Sequence, residues 1–375
     1  MTCSFCGQEQ KLVTLCPGDE AVCCRCATPL AVGRRYGRDA PLCFALTGLI
    51  LFVPAVLLPL VGADELGNRR VSLLLTGVGA LWGEGMHWLS FLVLFCGAVF
   101  PAALLVALIG LYGPPGLSRR WIGRPALVRV AKTLGTWAYP EVQVLAVIVG
   151  VIKLHSLVQL EIGPGFWCYC GMTGSLWLAR HDFALTPGDG AEEAATEQGG
   201  EAGRFGSLKR KSRSRCAALA AAALVLLAPA NILPVLTAET SGENRTDTIF
   251  SGAMGLGHQG LWGLAAIVFT ASMLIPGLKL VGLAFLLFNS GQTPPGRARR
   301  LMRLYEVLAL IGRWSMLDVF LAAFLVGLVE FGEFATVEAQ AGLIAFSAVV
   351  VLTVLATDSF EPRDIWSARS RPLPT

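Results

Sequence analysis

The chain has 375 residues and a mass of 39.8 kDa, and its composition excludes an ordinary soluble protein. Apolar residues make up 54% of the chain and charged residues only 15%, against about 25% in a typical soluble domain. The mean hydropathy is +0.61, and the apolar residues occur in long uncharged blocks. A protein of this size with so few charges cannot cover its surface for contact with water, so we predict that lipid surrounds most of it.

Six of the eleven cysteines lie within the first 26 residues, where they form two Cys-x2-Cys pairs sixteen residues apart. The four residues of these pairs are Cys3, Cys6, Cys23 and Cys26. Two such turns joined by a hairpin present four thiolates to one Zn²⁺ ion, and four thiolates leave no open position for a water molecule. We therefore predict a structural zinc ribbon over residues 1–40. Two alternatives are Cys24 as a ligand in place of Cys23, and redox sensing by the same thiols.

Eight segments of the chain are apolar enough to cross a bilayer, which requires about 20 residues per helix. They span roughly 42–61, 86–112, 134–160, 163–180, 217–237, 261–289, 307–331 and 340–360. Most of the 30 Lys and Arg residues precede the first segment, follow the last, or lie in every second connection, whereas the remaining connections hold only Arg69, Arg70 and Arg245. Because basic residues are retained on the cytoplasmic side, we predict a multi-pass protein of the bacterial inner membrane with both termini in the cytoplasm.

The sequence matches itself at an offset of 175 residues. The matched residues include Pro54 with Pro229, Pro59 with Pro234, and Gly85 with Gly260, and a two-residue shift places Glu141 on Asp318. The match predicts two four-helix modules of the same topology. The domains are then a ribbon (1–40), a first module (41–180), a flexible cytoplasmic linker (181–215), a second module (216–366) and a cytoplasmic tail (367–375). The fold class is an all-α polytopic membrane protein with eight transmembrane helices.

Polar and ionisable residues inside the predicted spans concentrate in the second module. Ser272 and Lys279 share one helix face, as do Ser315 and Asp318 on the next span, and Thr353 lies in the last. Lys279 and Asp318 have similar predicted depths, roughly 14 and 15 Å from the cytoplasmic ends of their helices. Since ionisable residues are costly in a bilayer, this pair is either a structural ion pair or a protonation-coupled switch on a transport path.

A second feature of the second module is the segment Pro229-Ala-Asn-Ile-Leu-Pro234, which we expect to break its first helix near the outer end. Asn231 can bond the backbone carbonyls that Pro234 leaves unpaired, which is a structural role. A broken helix can equally line a cavity, so both interpretations stay open.

Several motifs together resemble the paraquat-inducible protein A (PqiA/LetA) family of bacterial inner-membrane proteins. Besides the ribbon, they are Pro-Ala-x-x-Leu-Pro in each half, Thr248-Ile-x-Ser-Gly252, Pro276-x-x-Lys279-Leu280, Gly312-Arg-Trp-Ser-Met-Leu-Asp318-Val319 and Ser359-Phe-Glu-Pro-Arg-Asp-Ile-Trp366. The resemblance covers nearly the whole chain. It implies that the polar residues of the second module form a transport network, and that the chain loads or unloads phospholipid at a periplasmic tunnel formed by a membrane-anchored MCE-domain partner.

The chain also departs from this family. Members commonly carry a second cysteine ribbon between the modules, whereas residues 181–215 contain no Cys. We expect a transporter subunit that is not an enzyme and has no nucleic-acid partner, because no nucleotide-binding loop or catalytic constellation is recognisable. Alternative functions are a zinc-dependent membrane stress sensor and a membrane-bound enzyme.

Overall fold

The computed structural model describes most of the chain between residues 3 and 366. The described residues are 3, 6, 8–10, 19–32, 39–65, 68–113, 124–154, 159–184, 205–240, 243–258, 260, 262–289, 295–329 and 335–366. Within these ranges the side chains of Arg313 and Asp318 lie outside the description, as do the predicted tail and most of the predicted linker.

The chain begins with a two-stranded antiparallel hairpin and continues into a first set of helices and strands. These elements are β1 (Glu20–Val22), β2 (Pro29–Val32), α1 (Ala40–Leu57), β3 (Val61–Glu65), β4 (Asn68–Ser72), α2 (Thr76–Gly83), α3 (His87–Leu94), the first π-helical segment (Phe95–Val99), α4 (Phe100–Tyr112), α5 (Arg124–Trp137), α6 (Pro140–Leu154), β5 (Gln159–Ile162) and α7 (Pro164–Ala184).

A second set of elements follows in the same order. They are α8 (Phe205–Ile232), β6 (Leu236–Thr240), β7 (Glu243–Asp247), α9 (Ile249–His258), α10 (Trp262–Phe269), the second π-helical segment (Thr270–Leu274), α11 (Ile275–Asn289), α12 (Pro295–Trp314), α13 (Leu317–Val329), β8 (Ala335–Ala339), α14 (Ala341–Ser359) and a 3-10 turn (Pro362–Ile365).

The two sets correspond at the offset that the sequence match predicts. Strands β3 and β4, helix α3 and the first π-helical segment begin 175 residues before β6, β7, α10 and the second π-helical segment. Gly85 and Gly260, also 175 residues apart, both have a positive φ, 76° and 82°, which only glycine adopts without strain. From α6 and α13 onward the offset becomes 177, as for α7 and α14.

Each set closes with a three-stranded antiparallel sheet at one end of its helices, which the sequence analysis did not predict. The strand orders are β4-β3-β5 and β7-β6-β8. The last helix of each set begins beneath the proline turn of the first: the amide of Gly165 donates to the Pro59 carbonyl, and the amide of Gly342 to the Pro234 carbonyl, both at 3.0 Å. A Cβ at Gly342 would collide with the Pro234 carbonyl oxygen, so glycine is required at this close approach.

The expectation of a helical, multi-pass membrane protein is confirmed. Six stretches of the described residues are long and apolar enough to cross a membrane, judged by length and composition. They are Ala40–Leu57, His87–Tyr112, Ala126–Ile152, Arg213–Ile232, Ser272–Asn289 and Ala341–Ser359. The predicted spans 163–180 and 307–331 are not among them. The second of these is divided, because α12 ends at Trp314 and α13 begins at Leu317.

The two modules pack together through α13, which lies against α2 and α6 of the first module. Gly77 of α2 allows this approach, since a Cβ there would lie 2.6 Å from the Ala323 carbonyl oxygen. A second contact joins α3 and α14, where the Trp88 indole donates to the Ser347 hydroxyl over 3.2 Å. The largest buried cluster therefore combines the core of the first module with α13 and part of α14.

Candidate functional site

The two cysteine pairs meet at the tip of the β1–β2 hairpin. The Sγ atoms of Cys3 and Cys26 are 3.6 Å apart and those of Cys6 and Cys23 are 3.5 Å apart, and all four lie within 4.8 Å of one another. Zinc–sulfur bonds of about 2.3 Å in a tetrahedron place sulfur atoms about 3.8 Å apart, so this cluster fits a metal ion. All four side chains are buried. The geometry is that of a closed structural site.

The surroundings of the thiols distinguish the predicted ligands from their neighbours. Burial raises the pKa of Cys6 well above its usual value of 9.0. Burial also acts on Cys23, but hydrogen bonds from the backbone amides of Cys26 and Arg25 outweigh it and lower the pKa of Cys23 to about 6, which favours the thiolate that a metal needs. Cys24, the alternative ligand, is exposed and outside the cluster. Cys16 lies outside the described residues.

The hairpin docks on the second module rather than on the first, which follows it in sequence. Arg299 of α12 donates to the backbone carbonyls of Arg25 and Cys24 over 3.0 and 3.3 Å. The Arg25 guanidinium carbon lies 5.0 Å from the ring centroid of Trp366, a cation–π contact. The predicted ribbon is thus attached to α12 and to the end of the chain.

Lys279 is the most deeply buried described basic residue of the second module, with 2% of its surface exposed. Its ammonium nitrogen donates to the Thr353 hydroxyl over 3.2 Å, and that hydroxyl donates to the Val350 carbonyl over 2.8 Å. The Lys279 nitrogen also lies 3.1 Å from where a Cβ would be at Gly312, so α12 needs a residue without a side chain at this position. Two of the residues predicted for the transport network are therefore in direct contact.

The remaining residues of the predicted network are distributed around this pair. Ser272 is buried and lies in the second π-helical segment, a helix irregularity that is frequent at functional sites. Ser315 is buried in the turn between α12 and α13, and its hydroxyl has no hydrogen-bond partner among the described atoms. Asp318 lies in the first turn of α13, but its side chain is outside the description, so the predicted contact with Lys279 stays a prediction.

The proline segment of α8 differs from the expectation. Pro229 lies inside the helix, but the helix ends at Ile232, before Pro234. The Asn231 side-chain amide donates to the Leu227 carbonyl over 2.8 Å, one turn back, and its carboxamide oxygen is buried without a partner among the described atoms. Pro234 instead offers its carbonyl to α14. Asn231 therefore supports the helix end rather than repairing a break at Pro234.

A cavity of about 600 Å³ lies between the two modules and reaches Lys279. Residues from both modules line it: Leu104, Ala131, Lys132, Gly135, Thr136, Tyr139, Arg180, Lys279, Ala309, Gly312, Val354, Thr357 and Asp358. The sequence analysis missed Lys132, Arg180 and Asp358 as members of one site, because they are far apart in sequence and near helix ends, where charges are ordinary. Lys279 is accordingly at the wall of an open space.

A larger groove of about 1020 Å³ separates α8 from α11 on one side of the second module. It is mostly apolar, with Arg213 at one end donating to the Leu287 carbonyl over 2.8 Å. Ala217 and Ala221 line α8 in this groove, where the first module has Leu42 and Leu46 at the offset of 175. Small side chains on α8 therefore accompany the opening.

The first module lacks the polar residues of the second. At the same offsets, Leu104 replaces Lys279 and Leu176 replaces Thr353, and both leucines are buried. Its own buried polar contact joins Tyr169, whose hydroxyl donates to the Gly97 carbonyl over 2.8 Å, with the Gln143 carboxamide oxygen 3.0 Å away. The sequence analysis did not identify this pair, since neither residue type is ionised at neutral pH.

Comparison with known families identifies the chain. The family model described as paraquat-inducible protein A matches residues 39–186 and again 214–370, once in each module. The chain belongs to the PqiA family. The repeated match agrees with the duplication seen in the sequence, and it confirms the resemblance drawn from the motifs.

Curated members of the PqiA family match along nearly their full length. The intermembrane transport protein PqiA of Escherichia coli K12 is 28% identical over 97% of this chain and 94% of its own. Lipophilic envelope-spanning tunnel protein A of the same strain is 26% identical over 98% and 91%, and a probable intermembrane transport protein of Haemophilus influenzae 24% over 94% and 92%. No solved structure matches this chain.

Proposed function

We propose that this chain is the inner-membrane subunit of an intermembrane phospholipid transport system, which loads or unloads lipid at a periplasmic tunnel formed by an MCE-domain partner. The printed names of its relatives, an intermembrane transport protein and an envelope-spanning tunnel protein, support transport between membranes. The proposal includes eight spans, cytoplasmic termini, and the module and linker limits stated above. It also includes a structural Zn²⁺ held by the four clustered cysteines.

The observation that carries the proposal is the buried Lys279–Thr353 contact at the wall of a cavity. A lysine within a membrane-spanning helix is costly to bury and is usually part of a substrate, ion or proton path. The network that we propose comprises Ser272, Lys279, Ser315, Asp318 and Thr353. Lys279 and Asp318 are its charged members, where a proton is exchanged during lipid transfer.

The apolar groove between α8 and α11 supplies the second requirement of lipid transport, a surface on which an acyl chain lies. Its lining is largely alanine and leucine, and it opens to the side of the helices. Pro229, Asn231 and Pro234 stand at the other end of α8 from Arg213, and we assign them the shaping of the groove's outer end. Lipid is then held along α8 within reach of the module that carries the buried charge.

The proposal is tested by replacing Lys279 with methionine, which keeps the length of the side chain and removes its charge. The matched control is Leu104→Met at the corresponding position of the first module. We expect Lys279→Met and Asp318→Asn to abolish transfer of radiolabelled phospholipid between inner and outer membranes in cells that carry only the variant. Leu104→Met should retain transfer, and immunoblots should detect all variants in the membrane. Normal transfer by Lys279→Met would refute the proposal.

A further inference from the structure

The cavity between the modules carries an excess of positive charge. Its described lining includes three basic residues, Lys132 of α5, Arg180 of α7 and Lys279 of α11, but a single carboxylate, that of Asp358. Cavities lined by one sign of charge between low-dielectric walls concentrate ions of the opposite sign. The site is therefore built for an anion.

The basic side chains form a path from the surface to the interior. Lys132 is exposed, Arg180 is half-buried, and Lys279 is 2% exposed. An electrostatic attraction strengthens as the surroundings become less polar, so an anion gains most at the inner end of this path. The buried ammonium benefits in turn, because an ion in an apolar interior is costly without a counter-charge.

Arg180 is held in place for such a contact. One guanidinium nitrogen donates to the Gly135 carbonyl over 2.9 Å, and that nitrogen lies 3.6 Å from the position of a Cβ at Gly135. A guanidinium group has five N–H donors in a planar fork that matches two oxygens of a phosphate group. Anchoring one edge of the fork on the backbone reduces the entropy lost when the other donors bind.

We propose that this cavity binds a phosphate group, and that its source is the headgroup of an anionic phospholipid. The volume of about 600 Å³ is in the range of small-molecule sites. Leu104, Ala131 and Val354 supply an apolar wall for the glycerol and the start of an acyl chain. The lipid source rests on the proposed transport function, whereas phosphate binding itself does not.

The test uses the full-length protein in nanodiscs and measures its binding of phosphatidylglycerol and phosphatidylcholine by native mass spectrometry. We expect preferential retention of phosphatidylglycerol, weakened about tenfold in Arg180→Gln, which is the usual effect of losing a charge-assisted hydrogen bond. Lys132→Gln should weaken binding less, because Lys132 is exposed to solvent. The control is Arg129→Gln, which removes one charge from an exposed position of α5 that does not line the cavity.

Added inorganic phosphate distinguishes the two sources. Phosphatidylglycerol that is retained against millimolar phosphate supports the lipid headgroup, while displacement by phosphate supports an anion site filled from solution and refutes the lipid source. Equal phosphatidylglycerol binding by the Arg180, Lys132 and Arg129 variants would overturn the site. Lys132→Gln guards against misfolding of the Arg180 variant, since an exposed side chain can be replaced without disturbing packing. Loss of this site leaves the Lys279→Met test of transport unaffected.

Discussion

The two modules have the same order of helices and strands, yet they differ in what they bury. In the first module Gly48 of α1 lies so near Leu105 of α4 that a Cβ there would be 2.8 Å from a Leu105 methyl carbon. In the second module the helices at the same positions, α8 and α11, enclose the groove. The first module is packed with leucine where the second has Lys279 and Thr353. A duplicated backbone can thus hold a rigid support and a polar working unit at once.

The largest effect that distinguishes the modules concerns the metal, since the cysteine cluster docks on the second. We expect Cys23→Ser to abolish zinc binding, because structural sites of this kind contribute about 10–16 kcal/mol to folding and need all four thiolates. Cys24→Ser should retain one zinc ion per chain. The measurement is the metal content of purified protein by mass spectrometry. Equal zinc content in both variants would assign the site to other residues.

A smaller effect is expected at the interface through which the first module supports the second. Gly77→Ala places a methyl group against the Ala323 carbonyl oxygen and should destabilise the protein by about 1–3 kcal/mol, as overpacking does. Gly79→Ala, two residues away on α2 with open space around it, should be neutral or stabilising. Thermal unfolding in detergent compares the two. Equal melting temperatures would show that the modules can move apart at this contact.

Thr353→Val sharpens the contrast in polarity, because it keeps the shape of the side chain and removes the acceptor of Lys279. Leaving a buried charged donor without its partner costs about 1–3 kcal/mol, so we expect phospholipid transfer to fall at least several-fold. Leu176→Val at the corresponding position of the first module should leave transfer near normal. The comparison fails if the two variants have the same rate of transfer.

The smallest effect is expected from the size of the α8 side chains. Ala217→Leu and Ala221→Leu give the second module the residues of the first and reduce the volume of the groove. We expect transfer to fall a few-fold with little change in stability, since the groove is open and the new side chains meet lipid. Crosslinking of lipid to a photoreactive residue at Leu224 should fall in parallel. Unchanged crosslinking would separate the groove from the lipid path.

Much of the fold could be predicted from the sequence because the signals are local. Proline and glycine recur at a constant offset, and apolar blocks have the length of a span. The short strands could not be predicted: β3, for example, reads Val-Gly-Ala-Asp-Glu, which has no strong strand-forming residues after the first. The division between α12 and α13 was also missed, because Ser315 and Met316 carry neither Gly nor Pro to mark it.

The candidate site was predictable in its residues more than in its geometry. Lys279 and Thr353 stood out as polar groups within apolar spans, and their contact follows from packing two long helices. The cavity depends on Lys132 and Arg180 of the other module, whose approach is a property of tertiary packing between segments far apart in sequence. No local pattern contains that information.

Helix α12 joins two events at opposite ends of one rod. Arg299 near its start bonds the cysteine hairpin, and Gly312, thirteen positions later, packs beside the Lys279 ammonium. That separation is about 20 Å at 1.5 Å per residue. An α-helix barely changes length under load, so a shift of the hairpin on its cytoplasm-facing perch would be relayed mechanically to the buried amine.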